Sequence, residues 1–177
     1  KGIALVPTDD ELLKKTINEF VEKDGISVIT INSDLEDTKR LCFIGQDSYA
    51  SGRVAGGLMG EIIPGDGQVM SLAVAQENVA TMERTRGFTD ELEHHYPGIK
   101  VLEPRYAYDD DWVAGKLLEE QLEETPNLAG VYLTAQGESG VCDTLKKYRL
   151  EQKIKVIAHD YEGENRKNLK EGVINFI

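Results

Sequence analysis

Short runs of aliphatic and β-branched residues alternate with longer amphipathic stretches from one end of the chain to the other, the pattern of strands separated by helices. Strands are expected at 3–6, 27–31, 41–44, 68–73, 100–102, 130–133, 155–158 and 173–177. Local signals bound the helices between them. Thr8-Asp9-Asp10-Glu11 has the spacing of a capping box ahead of Leu13, Ile17, Phe20 and Val21, and Gly25 ends that helix. Further helices are expected over 48–62, 80–96 and 110–124, stopped by Pro64-Gly65, Pro97-Gly98 and Pro126. Val141, Leu145 and Tyr148 share one face of another. Strands joined through helices need right-handed crossovers, so the fold class expected is α/β, doubly wound, with parallel sheets covered on both faces.

Open parallel sheets bind ligands beyond the carboxyl ends of their strands. The groups expected there are Thr8, Asn32-Ser33-Asp34, Gln46-Asp47, Gln76-Glu77-Asn78, Tyr106 and Tyr108, Gln136, and His159-Asp160. Amides, carboxylates and guanidinium groups take neighbouring hydroxyls in pairs, and aromatic rings cover the C–H face of a sugar, so the set suits a polyhydroxylated ligand. The same residue types also cap helices, and any one of these positions alone reads more readily as a cap than as a ligand contact.

Composition narrows the function classes. With 177 residues, 40% of them hydrophobic, the chain can build one ordinary domain or two small lobes. A net charge of −12 argues against contact with nucleic acid through this segment, because phosphate binding needs clustered Lys and Arg. No apolar run approaches the ~18 residues of a membrane helix, so no membrane contact is expected. Lys1-Gly2 leads directly into a strand pattern, with no signal segment ahead of it. Cys42 and Cys142 both sit in apolar surroundings and are expected to be buried, which leans toward a reducing compartment.

No enzyme signature emerges. The chain lacks a Gly-x-Gly-x-x-Gly turn, a phosphate loop and a Gly-x-Ser-x-Gly elbow, and no nucleophile–base pair is evident. The glycines of 52–60 suit close helix packing. His94-His95 has no partners at metal-ligand spacing, and Asp109-Asp110-Asp111 starts a helix more simply than it holds calcium. Neither catalysis, a metal nor a cofactor is expected; an α/β domain with an unrecognised catalytic site is the remote alternative.

Two longer stretches carry a resemblance. Ile29-Thr30-Ile31-Asn32-Ser33-Asp34, followed by the run from Leu41 to Met59, is similar to the segment where sugar-binding proteins and LacI/GalR regulators pass from an amino-terminal to a carboxyl-terminal lobe. Arg84-Thr85-Arg86-Gly87-Phe88 resembles their Arg-x-x-Gly-Phe element, and Val156-Ile157-Ala158-His159-Asp160 their strand ending in a ligand-binding Asp. The resemblance spans essentially the whole chain and implies a type I periplasmic-binding-protein fold. It places Asn32 and Asp160 on sugar hydroxyls, Arg84 on ring oxygen or hydroxyls, Tyr108 as a stacking ring, and Gln136 where an Asn is commoner. Gln136-Gly137-Glu138 departs from the usual Asn-Asp pair, and Ser33 stands where several members carry Arg.

By the same resemblance, 1–45 would be the second half of the amino-terminal lobe, and 46–177 a carboxyl-terminal lobe stopping before the last crossover. One wall of the pocket would then be missing, and this segment alone would bind its ligand weakly or not at all. The implied function is sugar sensing by a cytoplasmic LacI-type regulator. That protein would be a homodimer, touching operator DNA only through a helix-turn-helix domain outside this chain. The alternative is an exported, extracytoplasmic sugar-binding protein serving a transporter or a sensor kinase.

Overall fold

The computed structural model describes residues 1–161 and 163–177. Its chain order is β1 (Gly2–Leu5), α1 (Glu11–Glu22), β2 (Ser27–Ile31), β3 (Cys42–Ile44), α2 (Ser48–Ile62), β4 (Gly67–Ala73) and α3 (Val79–His95). There follow β5 (Ile99–Val101), β6 (Arg105–Tyr106), α4 (Asp111–Glu124), β7 (Leu128–Leu133), α5 (Glu138–Tyr148), β8 (Lys155–Ile157) and α6 (Gly163–Lys170). The strands form two sheets, ordered β1-β2-β3 and β5-β4-β7-β8, with β6 also on β4, and every pairing is parallel. This is the α/β arrangement expected from the alternation of strand and helix patterns.

The second sheet is buried on both faces, and beyond the register shift at Gln68/Val69 its residues divide by parity. Met70, Leu72, Val131, Leu133 and Val156 pack with Leu118 of α4 and Val141 and Leu145 of α5. Val69, Tyr132 and Ile157 point the other way, onto Met59 of α2 and Phe88 and Leu92 of α3. The first sheet has a smaller core, in which Val28 packs on Ile17 of α1 and on Leu35.

Gly52, Gly56 and Gly60 form one stripe of α2 and let α3 come unusually close. A Cβ on Gly52 would lie 2.0 Å from the Arg84 carbonyl oxygen, and one on Gly87 would lie 2.1 Å from that of Tyr49. Helix backbones in contact at this range leave no room for any side chain but hydrogen.

Several local expectations change. Asp10, not Thr8, caps α1: its carboxylate accepts from Leu13 N at 2.8 Å from an extended backbone, so the helix begins two residues later than a Thr8 cap would set it. Cys142 is buried but Cys42 is exposed, because β3 is an edge strand whose alternation turns Cys42 and Ile44 outward. The strand expected at 173–177 shrinks to a single bridge between Ile157 and Phe176. There the Asn175 side chain takes the Val156 N–H at 2.8 Å, occupying a donor that a continued ladder would use. The two-residue β6, which follows Pro104, was not foreseen.

Candidate functional site

The ends of the strands bring the polar groups together, and the backbone is held in an unusual state at several of them. Among the described residues, the non-glycine residues with positive φ include Asn32 (φ 64), Tyr108 (φ 55), Asp109 (φ 56) and Asp160 (φ 64). L-residues enter this region at a cost, and the surrounding structure must impose it. At Asn32 the constraint is visible: its N–H donates to Ile44 O at 3.0 Å, tying the end of β2 to the end of β3. Ser33, next to it, is buried with its N–H on Ile31 O at 2.7 Å, so it offers the site little.

The acidic run after β6 is spent on backbone donors. Asp110 caps α4 through Val113 N at 2.9 Å, while Asp109 accepts from Gln136 N at 3.3 Å and Asp111 from Ser139 N at 3.1 Å. The corner bearing Tyr108 is thereby fastened to the corner bearing Gln136, and Asp110 alone of the three works as the cap expected at the helix start. Tyr108 itself is 68% exposed, its ring free to meet a ligand.

Arg84 lies in the second turn of α3. Its Nη1 donates to Thr134 O at 2.7 Å and its Nη2 to Gln46 Oε1 at 2.9 Å. One guanidinium therefore joins the end of β7 to the segment linking the sheets, while its buried Nε has no partner among the described residues. A donor left unpaired inside a protein is costly, and a ligand oxygen would relieve it. Gln46 also lines a cavity of about 430 Å³ with Asn32, Asp34, Phe43, Tyr49 and Glu83.

Below Asp160 lies a buried aromatic pair. Tyr132, fully buried and stacked on Phe88 at 4.6 Å between ring centroids, hydrogen-bonds His159 Nε2 at 2.9 Å. Burial raises the Tyr132 hydroxyl well above its ordinary value, so it keeps its proton. Burial, reinforced by the Arg84 charge, lowers His159 from 6.5 to about 4. Between those values the unfolded chain binds a proton that the folded ring refuses, so stability falls as pH drops from 6.5 to about 4 and no further below. The expected loss is about 2 kcal/mol, less than the full ~1.4 kcal/mol per pKa unit because the ring keeps an edge in solvent. Chemical denaturation of wild type and His159→Gln at pH 7 and pH 4.5 checks this; an equal acid loss in both would exclude His159 as its source.

The five residues singled out from sequence thus sit at the carboxyl ends of the two sheets. Asn32, Tyr108, Gln136 and Asp160 are exposed and Arg84 is partly buried. Only Asn32 lines the 430 Å³ cavity. No hydrogen bond joins their side chains directly among the described residues; Arg84 bonds Gln46 and Thr134, and Gln136 N bonds Asp109. Gln46 and His159 were legible as groups following strands, whereas nothing in the sequence marked the carbonyl of Thr134 or the hydroxyl of Tyr132. The described residues contain no group of three His, Cys, Asp or Glu able to hold a metal, and no helix long and apolar enough to cross a membrane.

Two all-parallel sheets with polar groups gathered at their carboxyl ends define a type I periplasmic-binding-protein-like fold. The family model for the periplasmic binding protein domain matches residues 1–177, and the chain belongs to that family. Among solved structures it is similar to a sugar-binding protein of a sugar ABC transporter from Bacillus halodurans, at 31% identity and TM-score 0.84, covering 98% of this chain and 59% of that one. A solute-binding protein of an ABC transporter from Burkholderia graminis, in complex with D-arabinose, aligns at 29% identity and TM-score 0.90, covering 98% and 61%. The glucose-galactose binding protein GanP of Geobacillus stearothermophilus aligns at 25% and 0.90, again covering 98% and 61%. No curated protein matches the sequence. The chain spans about three fifths of the length of these solved relatives. These relatives are sugar-binding or solute-binding proteins, and the likenesses lend no support to a LacI-type regulator, a homodimer or a DNA partner.

Proposed function

We propose that the chain is the sugar-binding part of an exported solute receptor that delivers its ligand to a transporter or presents it to a sensor. The sugar would lie at the carboxyl ends of both sheets, with Asn32 of the first sheet and Arg84, Tyr108, Gln136 and Asp160 of the second around it. In this arrangement 1–45 belongs to one lobe and 46–177 to the other. The observation that carries the proposal is the left-handed backbone at Asn32, Tyr108 and Asp160, three of the five positions, each at a strand end. Strain of this kind is kept where a fixed side-chain direction repays it.

The chemistry is complementary throughout. Asp160 and the amides offer planar pairs for vicinal hydroxyls, the Arg84 Nε lacks an acceptor among the described residues, and Tyr108 presents a ring face. A ligand touching both lobes favours their closed arrangement through its higher affinity for that state, which is how occupancy becomes readable by a partner. An effector-sensing regulator would use the same pocket. The solved relatives, which include sugar-binding proteins of ABC transporters, favour the receptor and an extracytoplasmic location.

The test is calorimetric titration of the gene-encoded polypeptide containing these residues with D-arabinose, D-galactose, D-glucose, D-fucose and D-tagatose. At least one is expected to bind with a Kd at or below about 1 µM, a free energy of about −8 kcal/mol. Absence of heat with every member of the panel and with their epimers would contradict the proposal.

A further inference from the structure

The two charged groups assigned to the ligand stand on separate elements, Arg84 within α3 and Asp160 just beyond β8. Between them lies Tyr132 of β7, fully buried on an interior strand of the second sheet. Its ring stacks on Phe88, which stands one helical turn after Arg84 on α3. Its hydroxyl meets Nε2 of His159, the residue immediately before Asp160, at 2.9 Å. Phe88, Tyr132 and His159 therefore form a row, with ring centroids 4.6 Å and 5.7 Å apart, that runs from the helix carrying Arg84 to the corner carrying Asp160.

A phenylalanine at 132 would fill the same space and keep the stack on Phe88. A hydroxyl taken out of water is costly unless it finds a partner, so what tyrosine adds at this position is its bond to His159. That bond falls on a corner in need of restraint. β8 ends at Ile157, Ala158 N still donates to Phe176 O at 3.1 Å, and two residues on Asp160 takes φ 64. From α6 the buried Asn165 amide donates to the carbonyl oxygens of His159 at 3.4 Å and Asp160 at 3.2 Å. A corner gripped by its carbonyls alone can still pivot about them, and the ring bond to Tyr132 removes that freedom.

We infer that Tyr132 is a positioning residue which, stacked on Phe88 and bonded to His159, fixes the placement of Asp160 relative to Arg84 and so selects which arrangement of sugar hydroxyls fits. The selection rests on the sugar-binding proposal; the tie between β7 and the β8 corner does not. Tyr132 itself is sealed inside the fold and acts through His159 without touching the ligand.

The experiment compares wild type, Tyr132→Phe, His159→Leu and His159→Gln in the gene-encoded polypeptide containing these residues. One readout needs no ligand: the intraresidue HN–Hα Overhauser effect of Asp160, which is strong at positive φ and weak in extended or right-handed backbone. Tyr132→Phe keeps the stack and removes the hydroxyl, and is expected to weaken that effect. His159→Leu should do the same from the other side, whereas His159→Gln, which keeps a polar partner for the hydroxyl, should retain it. The ratio of Kd values for the tightest sugar and its nearest epimer should shrink roughly three- to tenfold in Tyr132→Phe and in His159→Leu, the worth of one neutral hydrogen bond, and stay near wild type in His159→Gln.

A Tyr132→Phe protein that melts earlier yet leaves the Asp160 Overhauser effect or the epimer ratio unchanged overturns the inference, because the bond would then serve stability alone. A His159→Gln protein that behaves like His159→Leu overturns it as well. If Tyr132→Phe fails to fold, the two His159 variants, whose side chain is half-buried, are held to the same readouts. Should wild type bind no sugar, the functional proposal fails by itself, and the Overhauser effect still decides the tie.

Discussion

Gly52→Ala is expected to destabilise the protein by about 3 kcal/mol, the upper part of the usual range for overpacking. At this chain length that corresponds to a melting temperature roughly 6–12 °C lower. The new methyl group would lie 2.0 Å from the Arg84 carbonyl oxygen, well inside van der Waals contact, and the obstacle is backbone rather than a movable side chain. Either α2 or α3 must shift. The control is Gly57→Ala on the same helix, where a Cβ meets nothing within 4 Å. There the better helix propensity of alanine is expected to leave stability unchanged or raise it by up to ~1 kcal/mol. Thermal unfolding of the two variants separates a packing clash from a general intolerance of α2 to substitution. A Gly52→Ala protein as stable as Gly57→Ala would show that the two helices do not approach this closely.

Arg84→Lys carries the second large effect, this time on binding. The guanidinium reaches Thr134 O and Gln46 Oε1 at once, and its buried Nε has no partner among the described residues. A lysine ammonium is a point donor on a flexible stem and cannot span the same three directions. Each charged hydrogen bond lost is worth about 1.5–3 kcal/mol, so losing the ligand bond together with the link to Gln46 should weaken sugar binding by ~10²–10⁴-fold. Folding should suffer much less, since the Thr134 carbonyl can keep a lysine partner. Calorimetry beside a melting curve reads both quantities. Unchanged affinity in a folded Arg84→Lys protein would remove Arg84 from the site.

The two predictions are linked through the helix pair: the glycine stripe of α2 sets the height of α3, and with it the point from which Arg84 extends. Gly52→Ala should therefore also lose affinity in the fraction that remains folded.

What the sequence disclosed follows from the range over which each signal acts. β4 and β7 are central strands buried on both faces, and their unbroken aliphatic character made them plain. The helices between them announce themselves through caps and stops only a few residues away. β6 is two residues long, too short for any periodicity, and the final strand fails because of a single side-chain bond from Asn175 that no pattern of hydrophobicity encodes. Cys42 misled because an apolar run does not tell a central strand from an edge strand, and β3 lies at an edge.

The site divides in the same way. Asn32, Tyr108, Gln136 and Asp160 were legible because each follows a strand, and the rule for open parallel sheets needs nothing more. Arg84 lies within a helix and came only from the resemblance to sugar-binding families. Its bridge to Gln46 spans 38 positions. That is a consequence of tertiary structure that local spacing does not carry. The solved relatives shifted the functional reading from a regulator to a receptor, since the pocket chemistry is shared by both.

The central claim is that one sugar is held by both sheets together. Its most direct test is a calorimetric titration of the tightest sugar against Asn32→Ala, Asp160→Ala and the double variant, beside wild type. If the ligand bridges the sheets, each single replacement weakens binding at least about tenfold and the double abolishes it. A protein in which Asn32→Ala binds as wild type, while Asp160→Ala does not, would place the ligand on the second sheet alone and contradict the claim.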